Sequence, residues 1–269
     1  MKTWLITGAS RGFGVLIAQA ALDAGDRVIA TARNPQSIPL AAHPRLVVAK
    51  LDVTDEAEAQ RVVAEAGRID VLVNNAGFGL LGGVEESSAA EIEKLYRTNV
   101  FGLLAVTRAV LPVMRQQRSG HVINLSSIGG YRSSSGWGVY CSTKFAVEGL
   151  SEALHDELAP LGIHVTVVEP GYFRTDFLDA ASLTRAERII PDYAQTSGVM
   201  RSRAVELNHQ QPGDPAKLAT AMMELVKLEQ PPLRLALGSD TVKALEEKNA
   251  FVARELEAHR ALSLSTDFT

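Results

Sequence analysis

The densest group of residues able to do chemistry lies between positions 121 and 144. Ser126-Ser127 is followed, thirteen positions after Ser127, by Tyr140, and Lys144 stands four positions further on. Residues four apart on a helix share a face, so the phenol and the ammonium would meet there. A free phenol titrates near 10 and is no base at neutral pH. A neighbouring ammonium favours the phenolate, each pH unit corresponding to about 1.4 kcal/mol. The spacing by itself says little, because five tyrosines and eight lysines in 269 positions give roughly 0.15 such pairs by chance. A half-buried tyrosine beside a surface lysine is the competing reading.

A second group opens the chain. Thr7-Gly8-Ala9-Ser10-Arg11-Gly12-Phe13-Gly14 follows a strand-like run and precedes a helical one. In that setting the loop sits at a helix amino end, where free N–H groups and the helix dipole favour a pyrophosphate. Gly8 suits the tight turn, Gly12 close backbone approach and Gly14 close helix–strand packing. A cofactor with a free ribose 2′-hydroxyl would want an acid at the end of the second strand. Here that strand ends in Thr31-Ala32-Arg33. With Arg11, the Arg33 guanidinium suits a 2′-phosphate, so the expected cofactor is NADP(H). Two solvated surface arginines are the alternative. Residues 1–50 carry six Lys/Arg against two acids in a chain whose net charge is −4.

These groups need elements to position them. Apolar runs predict strands at 3–7, 27–31, 45–50, 69–73, 121–125, 163–168 and 233–237, nearly continuous as in a parallel sheet buried on both faces. Helical patterns fall between them, at 13–24, 55–66, 89–117 and 137–159. Gly25, Gly67, Gly120 and Gly162 stand where left-handed helix ends are expected. The alternation implies right-handed crossovers and a doubly wound α/β sheet. The glycine loop, Asn74-Asn75-Ala76-Gly77, the Ser–Tyr–Lys array and Pro170-Gly171 then all fall at strand carboxyl ends, which line one crevice. Residues 176–212 form an insertion expected to act as a substrate lid, and 239–269 a charged helical extension, all within one domain.

Composition excludes several function classes. No run of eighteen apolar residues is present, and no signal-peptide pattern opens the chain. Mild acidity argues against a nucleic-acid partner. The single cysteine, Cys141, allows no intrachain disulfide and points to a reducing, cytoplasmic setting. The six histidines show no metal-ligand spacing, so no metal is expected.

Thr-Gly-x-x-x-Gly-x-Gly at 7–14, Asn-Asn-Ala-Gly at 74–77 and Tyr-x-x-x-Lys at 140–144 resemble the short-chain dehydrogenase/reductase family, over essentially residues 1–238. Val139-Tyr140-Cys141 with Phe145, and Ala32-Arg33, look like its 17β-hydroxysteroid and retinol dehydrogenase members. The resemblance implies a single-domain Rossmann fold, a seven-stranded parallel sheet in the order 3-2-1-4-5-6-7 with helices on both faces. It implies that Tyr140 is the general acid/base, that Ser127 holds the substrate carbonyl, and that Lys144 lowers the phenol pKa and holds the nicotinamide ribose. Asn99 would support a proton-relay water. Asp52 and Val53 would cradle adenine, Asn75, Ala76 and Gly77 would line the adenosine ribose, and Pro170, Gly171, Phe173 and Thr175 would meet carboxamide and phosphates. Hydride transfer to a carbonyl, an apolar substrate and a homodimer or homotetramer are expected. A 3-oxoacyl-thioester reductase and a non-catalytic NADP(H) sensor are the other readings the pattern allows.

Overall fold

The computed structural model describes residues 1–268. Seven strands form one parallel sheet: β1 (Thr3–Ile6), β2 (Arg27–Ala32), β3 (Leu46–Lys50), β4 (Val71–Asn74), β6 (Gly120–Leu125), β7 (Ile163–Pro170) and β9 (Arg234–Leu237). Their order is β3-β2-β1-β4-β6-β7-β9. Counted among themselves, these strands follow the expected 3-2-1-4-5-6-7 order, and the chain has the α/β Rossmann fold. Successive strand residues point to opposite faces, which divides the core in two. Trp4, Ile6, Val28 and Ala30 pack with Ile17 of α1 (Gly12–Asp23) and Met222 of α7 (Pro215–Leu225). Leu5, Ile29 and Leu72 pack on the other face with α2 (Glu56–Ala66), α4 (Leu103–Gln117) and the end of α5 (Gly138–Leu158).

Three local features differ from the sequence expectation. The helix expected over 89–117 is broken: α3 (Ala89–Tyr96) leads into a π-type turn, Arg97–Gly102, before α4 begins. Gly102 requires this close fit, since a Cβ there would lie 2.6 Å from Val53 Cγ2. The left-handed residue after α4 is Arg118 (φ 54°), while Gly120 simply starts β6; Gly25, Gly67 and Gly162 do take positive φ. Two short strands were not expected. β5 (Gly79–Leu81) pairs in parallel with β8 (Leu183–Arg185) in a second, two-stranded sheet.

That pairing fastens the 176–212 segment at its base, and Phe173 bridges to Gly213 at its other end. Between them, α6 (Val199–Leu207) is held by Glu86. The Glu86 carboxylate is fully buried and accepts from Gly83 N (2.6 Å), Ile190 N (3.0 Å), Ser197 Oγ (2.9 Å) and Arg201 Nη1 (2.7 Å). After β9 the chain forms α8 (Ser239–Ala258) and α9 (Arg260–Leu264). α8 touches the body through Asp240, which accepts from Tyr172 N at 2.7 Å, Glu247, paired with Arg132, and Asn249, bonded to Tyr131. From residue 250 to 268 every residue is exposed.

Arg201 is the largest cause of the low Glu86 pKa, about 2 against an ordinary 4.5. Glu86 therefore stabilises the fold above pH 4.5 and loses that contribution as the pH falls toward about 2. We expect Arg201→Met to leave a buried carboxylate short of its cation and to cost about 2–4 kcal/mol. Chemical denaturation at pH 7 measures this, and the loss should shrink on acidification.

Candidate active site

The crevice begins where β1 and β4 end. Thr7 Oγ1 accepts from Asn75 N and Ala76 N, both at 3.0 Å, and Asn75 Nδ2 returns bonds to Thr7 O (2.9 Å) and Gly8 O (3.0 Å). Gly8 and Gly12 take φ of 67° and 55°, a region that L side chains rarely adopt. Gly14 lies beneath the loop: a Cβ there would press on the Gly8 carbonyl oxygen and stand 2.6 Å from Asn75 Nδ2. The amino end of α1 is uncapped, because Arg11 at the cap makes no side-chain bond to it and its first turn has no acid. By contrast, α2, α3 and α7 are capped by Asp55, Ser88 and Asp214. The free N–H groups of α1 thus remain available to an anion.

One cavity of about 1110 Å³ runs over these ends. The glycine loop from Gly8 to Phe13, Arg33, Asp52-Val53 and Asn75–Gly77 line it. So do Ser127, Tyr140, Lys144, Pro170-Gly171, Phe173 and Thr175. Of the expected site residues, only Gly14 and Asn99 stand behind its wall. Arg11 and Arg33 are exposed, and neither forms an ion pair among the described residues. Phe173 packs edge-on against Phe13 at 5.4 Å, closing the sheet end over the glycine loop.

Ser127 Oγ accepts from Gly129 N at 3.0 Å, so its own proton is left to donate. Tyr140 is buried, flanked by Trp137 (5.6 Å) and Phe177 (5.7 Å). Lys144 Nζ donates to Leu125 O at 2.8 Å and lies 5.9 Å from the Tyr140 ring centre. Burial pushes the Tyr140 phenol above its ordinary value, and the Ser127 hydroxyl, within hydrogen-bonding reach, pulls it down. The expected acidification by Lys144 is therefore not the dominant effect here; desolvation is. Burial also lowers Lys144, to about 8, while Glu148 acts to raise it.

Asn99 sits in the π-type turn with its amide fully placed. It donates to Phe78 O (2.9 Å) and Thr143 Oγ1 (3.2 Å) and accepts from Phe78 N (3.1 Å). It thereby fixes the loop after β4 against α5. A buried chain that sequence reasoning missed runs below the site: Asn74 Nδ2 donates to Thr107 Oγ1 and Asn124 Oδ1, and Asn124 Nδ2 to Ser151 Oγ, each at 2.9 Å. Polar residues ending two otherwise apolar strands were its sequence signal. Of the apolar residues in 176–212, Phe177, Leu178, Ala180, Ala181, Leu183 and Met200 line the cavity, whereas Ile189 and Ile190 do not. The fold also brings His209 Nε2 within 3.2 Å of Asp179 Oδ1, near Asp176.

A family model described as short chain dehydrogenase matches residues 2–186. The chain belongs to that family. It is 37% identical to oxidoreductase BOA17 of Botryotinia fuckeliana, over 98% of this chain and 99% of the relative. It is 36% identical to retinol dehydrogenase 8 of Bos taurus, over 87% of this chain and 80% of the relative. The crystal structure of a short-chain dehydrogenase from Streptomyces avermitilis superposes with a TM-score of 0.92 at 45% identity, covering 99% of this chain and 100% of that one. The protein is thus an oxidoreductase of the short-chain dehydrogenase family.

The crowding at Gly14 sets a test of the loop. Gly14→Ala should lower stability by about 1–3 kcal/mol, since backbone must shift to admit the methyl. Gly149, inside α5, faces open space, with nothing within 4 Å of where a methyl would stand. Gly149→Ala should be neutral or stabilising by up to about 1 kcal/mol. Thermal melts of the two variants check the contrast.

Proposed function

We propose that this protein is an NADP(H)-dependent carbonyl reductase or alcohol dehydrogenase acting on an apolar ketone, aldehyde or secondary alcohol. The observation that carries the reading is the meeting of Ser127, Tyr140 and Lys144 in the same cavity as an uncapped helix end and two unpaired arginines. The donor set fits the cofactor: free N–H groups of α1 toward the pyrophosphate, and Arg11 and Arg33 toward a ribose 2′-phosphate. Asp52, Val53 and the Asn75–Gly77 turn suit the adenosine. When bound, the nicotinamide supplies or accepts the hydride.

The chain's own residues would manage the oxygen and its proton. Ser127, one lone pair taken by Gly129 N, donates its proton toward the carbonyl oxygen. Tyr140, kept protonated by burial, is poised to give its proton to the alkoxide that develops. Lys144 is the cation nearest the phenolate left behind and holds one proton on Leu125 O, which fixes its direction. Each group acts where charge develops, so its contribution is realised mainly in the transition state. Trp137, Phe177, Leu178, Leu183 and Met200 give the cavity an apolar side. The likeness to a retinol dehydrogenase supports an apolar substrate.

NADPH oxidation followed against steroid, retinoid, aliphatic and aromatic carbonyl compounds tests the reading. Tyr140→Phe should lose on the order of 10²–10⁴-fold in turnover while still binding cofactor. A native protein that binds NADPH and turns over nothing in the panel would favour the sensor alternative. Arg33→Ala should weaken NADPH binding by about 1.5–3 kcal/mol and leave NADH nearly unchanged. Equal losses in a binding titration would remove the 2′-phosphate assignment.

A further inference from the structure

α5 carries Tyr140, Lys144 and Glu148 at intervals of four, so the three side chains follow one another along a single face. Glu148 is 5% exposed and has no part in the chemistry described so far. From α5 itself it is faced by Lys144 and Glu152. Ser126 faces it from the end of β6, Glu169 from β7 and Arg234 from β9. Arg234 bonds Glu148, Glu152 and Glu169, the last at 2.9 Å, and its guanidinium lies 5.6 Å from the Tyr131 ring. A Cβ on Gly130 would stand 2.7 Å from Glu148 Oε1, so that glycine leaves room for the carboxylate. Among the described residues, Glu148 Oε1 and Glu169 Oε2 have no hydrogen-bond partner.

Two buried carboxylates therefore share one guanidinium. Lys144, also buried, bonds only the neutral carbonyl of Leu125 among the described residues. A buried ammonium with neutral partners tends to give up its proton. Glu148 is the charged group that opposes this at Lys144.

We propose that Glu148 is a positioning residue for the hydride-transfer reaction, its buried carboxylate keeping Lys144 in the ammonium form beside Tyr140. The proposal rests on the role given to Lys144 above. Burial pushes Glu148 up to about 7; Glu169 adds to the rise, while Ser126 and Arg234 oppose it. Burial brings Lys144 down to about 8. Removing the carboxylate should let Lys144 become a neutral amine at lower pH and withdraw the alkaline limb of activity.

The test follows the Lys144 side chain by NMR in the full-length protein with isotope-labelled lysine, its signal assigned by its loss in Lys144→Met. In parallel, kcat/KM for NADPH-dependent carbonyl reduction is measured against pH. Glu148→Gln should lower the Lys144 midpoint by about one pH unit and move the alkaline limb with it, leaving the acid plateau in place. Glu148→Asp, which keeps the charge, should restore the native midpoint. Glu169→Gln, which removes the repelling neighbour, should leave the midpoint in place or raise it. In the native protein the Lys144 signal should also inflect as the Glu148 carboxylate takes up its proton, a readout that needs no variant to fold.

An unmoved midpoint in Glu148→Gln, an equal fall in Glu169→Gln, a uniform loss of rate at all pH, or a missing inflection in the native protein overturns the proposal. If the native protein reduces no carbonyl compound, the functional reading fails separately, and the NMR midpoints still decide the link between Glu148 and Lys144.

Discussion

The reciprocal bonding of Thr7 and Asn75 holds the crevice in shape. Where β1 and β4 end, the sheet ladder stops, and each strand would leave main-chain groups without partners. Two bonds from Asn75 Nδ2 and two into Thr7 Oγ1 replace the missing ladder. They fix the glycine loop against the neighbouring strand end. Gly14 is the counterpart of this lock, because the same amide that bridges the strands occupies the space a side chain would need. The uncapped start of α1, Gly77 against Asn99, and Thr175 over Gly12 all take their places from that junction.

Burial acts in opposite senses on neighbouring groups. It raises the Tyr140 phenol and lowers the Lys144 ammonium, since both lose water from their charged forms. Glu86 and Glu148 both show little surface to solvent, yet the pKa of Glu86 falls whereas that of Glu148 rises. Desolvation dominates at Glu148, whereas the Arg201 hydrogen bond dominates at Glu86, and the donors differ accordingly. Two backbone amides, a hydroxyl and a guanidinium surround Glu86, while one oxygen of Glu148 has no partner and the carboxylate of Glu169 stands beside it. Desolvation and the supply of donors together set the ionisation of each carboxyl.

The strands and the residues at their carboxyl ends were legible because a parallel sheet buried on both faces writes itself as short apolar runs. The sheet order came from the family resemblance, while the strand ends foretold the gathering of the glycine loop, Arg33, Asn75, Ser127, Tyr140 and Lys144 around one cavity. The break at Arg97–Gly102 was not legible, because the apolar pattern of 89–117 continues through it. The fit of Gly102 on Val53 and of Asn99 on Phe78 belongs to residues distant in sequence. The pairing of β5 with β8 was hidden for the same reason, each strand being three residues long. Glu169 did leave a trace, as an acid inside an otherwise apolar strand. Glu86 and Glu148 left none, since an acid on a helix or loop reads as surface until its partners are known.

The exposed run from residue 250 to 268 has a consequence for how the molecule opens. An isolated helix of this length in water is marginal, because its ends fray and no packed face holds it. Amide protons along the second half of α8 should therefore exchange with solvent through local fraying, independently of the sheet. Those of β1, β4 and β6, buried between two layers of helices, exchange only when the whole fold opens. One continuous chain thus carries two stability scales, and the boundary between them falls near Asn249, where α8 makes its last bond to the body.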